Sequence, residues 1–130
     1  MPTFGRANIV TEKDGIPVLY GGTQRAFGVR VVHQQNPRAP SKNFSCTILY
    51  LAPGGVLEPH GHENEEVYIV LEGEGKGFFG QGKPVDLKPG MFLHLPSNAE
   101  HGIENTGDKM MKVLICTSPQ LPPMKPWAVS

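Results

Sequence analysis

Apolar and polar residues alternate in short runs along this chain, and turn residues break the runs every few positions. Residues 27–33 (FGVRVVH) put Phe27, Val29, Val31 and His33 on one face and Arg30 on the other. Residues 44–51 (FSCTILYL) alternate and are rich in β-formers; the run ends at Pro53-Gly54-Gly55, a turn signal. Further strands are expected at 18–20, 67–71, 76–79, 85–87, 91–95, 101–105 and 111–117, giving about nine or ten with short connections. No stretch carries a clean helical period. The pattern predicts an all-β barrel or sandwich, and at 130 residues a single domain spanning 1–130. Within it, 1–26 reads as an extended arm, 27–117 as the barrel and 118–130 as a tail. Four prolines crowd that tail, so it cannot be a central strand and is expected to strap the barrel or a partner subunit.

Composition narrows the function classes. The 16 glycines and 13 prolines fall between the apolar runs, which suits many short strands rather than disorder. Lys plus Arg, at 12, balances Asp plus Glu, at 12. A nucleic-acid or anionic-membrane binder needs a basic surplus, so neither is expected as a partner. No apolar run reaches the roughly 20 residues of a spanning helix, and the first residues lack a secretory apolar core, so a cytoplasmic location is expected. Cys46 and Cys116 sit in apolar runs and read as buried thiols. Two nucleotide-like patterns fail on context. Residues 75–80 spell GxGxxG between two short strands with no helix to follow, and Gly77 to Lys83 fits GxxxxGK but runs into Pro84.

The chemistry-bearing stretch is 54–73, GGVLEPHGHENEEVYIVLEG. If it is extended, His60 and His62 share a face about 7 Å apart and can converge on one ion. The acidic cluster Glu63, Glu65 and Glu66 follows, and a carboxylate from the next strand adds a third donor.

The spacing from Gly54 to Gly73 reads G-x5-H-x-H-x3-E-x6-G, and Gly90 to Asn105 reads G-x5-P-x-N-x2-H-x3-N. These two motifs resemble those of the cupin superfamily. Every defined position is matched except Asn98, which stands where a glycine is usual; Asn tolerates positive φ next best, so the turn should survive. The resemblance covers about two fifths of the chain. It implies a cupin-type double-stranded β-helix, a jelly-roll barrel open at one end with a metal in its mouth. It also implies the ligands His60, His62, Glu66 and His101. Independently, imidazoles with a carboxylate suit one divalent transition metal, Fe, Mn, Ni, Co, Cu or Zn, and disfavour the all-oxygen ions.

Parity with Glu66 places Tyr68 and Val70 on the metal side. Tyr68 is therefore the candidate catalytic residue, a proton donor or base, with pocket wall as the commoner use of such an aromatic. A Tyr two residues after the ligand Glu resembles the small cupin lyases that cleave dimethylsulfoniopropionate. Ile103 should line the same pocket as His101. His94 is expected to be a core or wall histidine rather than a fifth ligand. Arg30 and His33 fall on opposite strand faces, so at most one looks inward; Arg30 is expected to make a surface salt bridge, or to anchor a carboxylate if it is the inward one. Glu58 is expected on the rim, with the ligand face as its alternative, and Glu100 is expected to face away. The function expected is a metal-dependent lyase, isomerase or cyclase acting on a small polar or anionic molecule, with the metal as Lewis acid. The alternatives are a non-haem metal dioxygenase and a non-catalytic ligand-binding or sensor protein. A homodimer is expected from the long arm and tail.

Overall fold

The computed structural model describes residues 4–80 and 82–127. After a short 3-10 turn at Glu12–Asp14 come nine strands: β1 Ile16–Val18, β2 Thr23–Val32, β3 Ser45–His60, β4 Glu65–Glu72, β5 Gly75–Phe78, β6 Val85–Leu87, β7 Phe92–Leu95, β8 His101–Glu104 and β9 Met111–Ser118. They form one curled antiparallel sheet in the order β6-β5-β8-β3-β9-β4-β7, with β2 on β3 and β1 on β2. No helix among the described residues is long and apolar enough to cross a membrane.

Strand β3 is the spine. Sequence reading ends it at Pro53-Gly54-Gly55, yet it continues through that triplet to His60. Its first half pairs with β9 from Ser45↔Thr117 to Leu51↔Met111; its second half pairs with β8 at Val56↔Glu104 and Leu57↔Ile103. The glycines therefore turn a corner inside a strand instead of ending it. Gly54 has φ of 79°, and a Cβ on Gly55 would lie 2.7 Å from the Arg25 carbonyl oxygen.

Asn105 holds this corner. Its backbone exchanges hydrogen bonds with Gly54 and Gly55, each 2.9 Å. Its Nδ2 donates to the carbonyls of Leu51 and Lys109 at 2.8 Å, and its Oδ1 accepts from the Gly107 amide at 3.0 Å. The side chain is buried, so each of these bonds replaces one that water cannot supply.

The inward faces of the strands change character along their length. Reading β3 backwards gives Leu51, Leu49, Thr47 and Ser45; β9 gives Met111, Val113, Ile115 and Thr117; β4 gives Val70, Tyr68 and Glu66, all buried. At one end these faces merge into the apolar core with Leu57, Leu87 and Ile103. At the other they become polar. A single alternating sheet thus builds both a closed floor and a chemically equipped mouth.

The tail straps this chain's own barrel. The Gln120 amide donates to the Asn43 carbonyl, and that of Trp127 to Pro17. His33, fully buried, donates from Nε2 to the Leu121 carbonyl at 2.7 Å and accepts the Gln35 amide on Nδ1 at 3.0 Å. Both nitrogens are then used by the neutral ring, and burial pulls its pKa below the ordinary histidine value. The Trp127 ring tilts against Phe27 with centroids 5.4 Å apart.

Because Asn105 closes the corner of the spine, Asn105→Ala should lower unfolding free energy by about 2–4 kcal/mol, with unchanged urea m-value. Urea melts followed by circular dichroism test this; a loss within 0.5 kcal/mol, roughly the noise of a surface change, contradicts the clamp.

Candidate metal centre

Three strand ends bring the site together. His60 ends β3, His101 begins β8, and the two are register partners across that pair. His62 follows His60 in the connection to β4, where Glu66 is the second residue. The loop between β7 and β8 fixes the connection from the other side: the Asn98 amide donates to the His62 carbonyl at 2.7 Å. Asn98 adopts φ of 66°, the left-handed conformation expected where a glycine is usual.

Each imidazole is oriented by a backbone carbonyl two residues away. His60 Nδ1 lies 2.9 Å from the Glu58 oxygen, His62 Nδ1 3.1 Å from Asn64 and His101 Nδ1 2.9 Å from Ala99. A carbonyl only accepts, so Nδ1 carries the proton and the Nε2 lone pair is left for the centre. The three rings offer donor atoms within 4.8 Å of one another, and this cluster could hold a metal ion.

Glu66 enters the same space. Its Oε1 is 3.0 Å from His62 Nε2 and 3.2 Å from His101 Nε2, while its Oε2 accepts the Thr117 hydroxyl at 2.6 Å. Glu66 Oε1 and His101 Nε2 are buried and complete no aligned hydrogen bond with a described residue. A neutral His101 thus faces the carboxylate lone pair against lone pair, which is repulsive unless a proton or a cation lies between them. Donors at right angles around an ion, each about 2.1 Å from it, stand about 3 Å apart, which these contacts match. The residues fit a divalent transition metal.

Electrostatics report the same tension. Burial pushes the Glu66 carboxyl up, but His101, Thr117 and His62 outweigh it and hold it below the ordinary value. Burial also disfavours the His101 imidazolium, yet Glu66 and the Ala99 carbonyl raise its pKa above the usual one. At His60, on the rim, burial wins and the pKa falls.

A cavity of about 210 Å³ opens beside these groups. Thr47, Ser45, Tyr68 and Arg30 give it polar wall; Leu49, Leu57, Ile115 and Leu121 give it apolar wall. Tyr68 is buried, and its ring meets the His101 ring edge-on at 5.4 Å. Burial first, then Glu66 and Tyr20, push its phenol well above the ordinary tyrosine value.

Several expectations need correction. Arg30 is not at the surface in a salt bridge: it is 1 % exposed and lines the cavity. A register shift between Arg30 and Val32 breaks the alternation, so Arg30 and His33 are both buried. His94 is neither core nor wall, but exposed on the outer face beside Glu65, with Nε2 2.6 Å from its Oε2. Ile103 lies under the site in the apolar core rather than along the cavity. Glu58 and Glu100 are exposed, as expected. Thr117 escaped sequence reading, although a Thr continuing the buried face Met111, Val113, Ile115 was a usable signal. Nothing in sequence places Tyr20 and Leu121 beside the mouth, since long connections bring them there.

A barrel of this topology with three imidazoles and a carboxylate at its mouth is the arrangement of a cupin, and the Cupin domain model matches residues 47–117. The chain belongs to that family, and its fold is the double-stranded β-helix. It is similar to auxin-binding protein 1 of Arabidopsis thaliana, 34% identical over 92 residues, covering 65% of this chain and 46% of that one. It is also similar to dimethylsulfoniopropionate lyase DddW of Ruegeria pomeroyi, 33% identical over 94 residues, covering 70% of this chain and 60% of the relative. In both cases the match spans less than two thirds of the relative's length. Among solved structures, the polyketide cyclase RemF from Streptomyces resistomycificus superimposes with a TM-score of 0.78 at 21% identity, covering 96% of this chain and 88% of that one, a likeness of fold alone.

Thr117 orients Glu66 without reaching the imidazoles, so Thr117→Val should weaken cobalt(II) binding about 10- to 100-fold while the fold persists. A chelator-competition titration reads this. Affinity equal to wild type would mean that the hydroxyl does not position the carboxylate.

Proposed function

We propose that His60, His62, Glu66 and His101 hold one divalent transition metal, and that the chain is an enzyme catalysing elimination, isomerisation or cyclisation of a small polar or anionic molecule. The observation that carries this is the convergence of three carbonyl-oriented imidazoles, two of them about 3 Å from a buried carboxylate oxygen that has no aligned hydrogen bond. When bound, the ion supplies Lewis acidity toward a substrate oxygen. The similarity to a lyase supports a reaction of this kind.

The protein's own groups do the rest. Backbone carbonyls keep the imidazoles in one tautomer, and Thr117 keeps Glu66 from rotating away. The apolar wall of Leu49, Leu57 and Ile115 excludes water from one side of the occupant. Tyr68 is the one phenol set against the His101 ring. Tyr68 carries its proton at physiological pH and is placed to donate it to a developing oxyanion or leaving group; burial makes it a weaker acid than an ordinary tyrosine, and a bound cation would offset that.

Two variants test the ligand set. Glu66→Gln or His101→Ala should strip most metal from protein purified without a nickel column, as read by elemental analysis; full occupancy in both variants refutes the assignment. Tyr68→Phe keeps the ring packing and removes the donor. It should cut the turnover rate about 100-fold or more with metal content unchanged, whereas an unchanged rate makes Tyr68 a wall.

A further inference from the structure

Arg30 is among the largest fully buried side chains, and no described residue supplies its charge with a counter-charge. Nε donates to the Tyr20 hydroxyl at 3.2 Å, and Nη1 donates to Gln35 Oε1 at 3.1 Å and to the Pro122 carbonyl at 2.9 Å. All three acceptors are neutral. Among the described residues no carboxylate lies within 4.0 Å of the guanidinium, although Glu66 borders the same cavity. Nη2 makes no hydrogen bond to any described residue.

The surroundings are built to fix this group. The Tyr20 ring lies under the guanidinium, 5.5 Å from its carbon. Gly28 makes room for that ring, since a Cβ there would sit 2.5 Å from it. The tail supplies the Pro122 carbonyl and seats Leu121 in the cavity wall. A buried, uncompensated cation is costly, and a fold rarely holds one in place without something to neutralise it. Metal binding adds two positive charges to the single negative charge of Glu66, so the loaded cavity carries a surplus that only an anion offsets. The hydrogen-bond partners of the guanidinium are Tyr20, Gln35 and Pro122 and not the imidazoles, so the two positive groups address different parts of the occupant.

We propose that Arg30 anchors the substrate through Nη2, and that the substrate is a small acid with two carboxylate-like ends joined by a short apolar segment. One end faces the imidazole cluster, the other sits on the guanidinium, and the segment between packs on Leu49, Leu57 and Ile115. This rests on the metal-dependent reading above and adds the class of substrate to it.

The test is calorimetric titration of the cobalt(II)-loaded full chain with the straight-chain dicarboxylates from oxalate to adipate, and with monocarboxylates of matching length. At least one diacid should bind wild type about 10- to 100-fold more tightly than its matching monoacid. Arg30→Gln should erase that preference. Arg30→Lys should keep only part of it, because an ammonium lacks the planar fork. If Arg30→Gln fails to fold, as circular dichroism would show, the wild-type and Arg30→Lys comparison decides. Equal diacid and monoacid affinity in wild type, no binding of any diacid, or an undiminished preference in the folded variants overturns the inference. Cobalt stoichiometry on the same samples separates the two claims. Wild type that holds no cobalt brings down the metal-dependent reading and this inference with it. Full cobalt without a diacid preference overturns the role of Arg30 alone.

Discussion

Three backbone carbonyls, those of Glu58, Asn64 and Ala99, each hold one imidazole by its Nδ1, and the function proposed for this chain depends on that small constraint. An unconstrained histidine ring can turn either nitrogen inward, protonated or not. Here the choice is made by peptide geometry, and Nε2 is left as a lone pair at the centre. Glu66 Oε1 then stands about 3 Å from two such lone pairs. In the absence of a cation only a proton shared with Glu66 relieves the arrangement, which is the physical content of the raised His101 pKa and the lowered Glu66 one. Stability and chemistry pull in opposite directions at this point, and the surrounding barrel must over-determine it.

The barrel does so through β3. Because the strand bends at Gly54 and continues to His60, one element carries apolar floor, cavity wall and a histidine of the candidate metal centre. Asn105 keeps the bend closed from the C-terminal end of the strand that begins with His101. The corner and the site are thus coupled by four residues of β8. The polar ends of β3, β4 and β9 meet at the same mouth, since in a curled sheet the inward residues of neighbouring strands share a level.

Much of this was legible in the sequence, for identifiable reasons. Period-two alternation located β4 and β9, and the resemblance of the two motifs to those of the cupin superfamily implied that His60, His62, Glu66 and His101 share one site. The turn signal at Pro53-Gly54-Gly55 misled, because glycine with positive φ marks a bend within a strand as readily as its end. Arg30 and His33 both face inward, against the parity argument, because a bulge is invisible to it. His94 was drawn inward by its apolar neighbours, whereas β7 lies at the sheet edge and leaves it exposed beside Glu65. Tyr20, Leu121 and Pro122 reach the cavity through connections whose path no local pattern encodes.

The central claim is that one cation sits between the three Nε2 atoms and Glu66 Oε1. Anomalous diffraction from crystals of cobalt(II)-loaded protein at the cobalt edge tests it most directly. The account predicts a single peak about 2.0–2.2 Å from each of those four atoms. A peak elsewhere, such as at His94 and Glu65, or no peak from protein shown to contain cobalt, would contradict it.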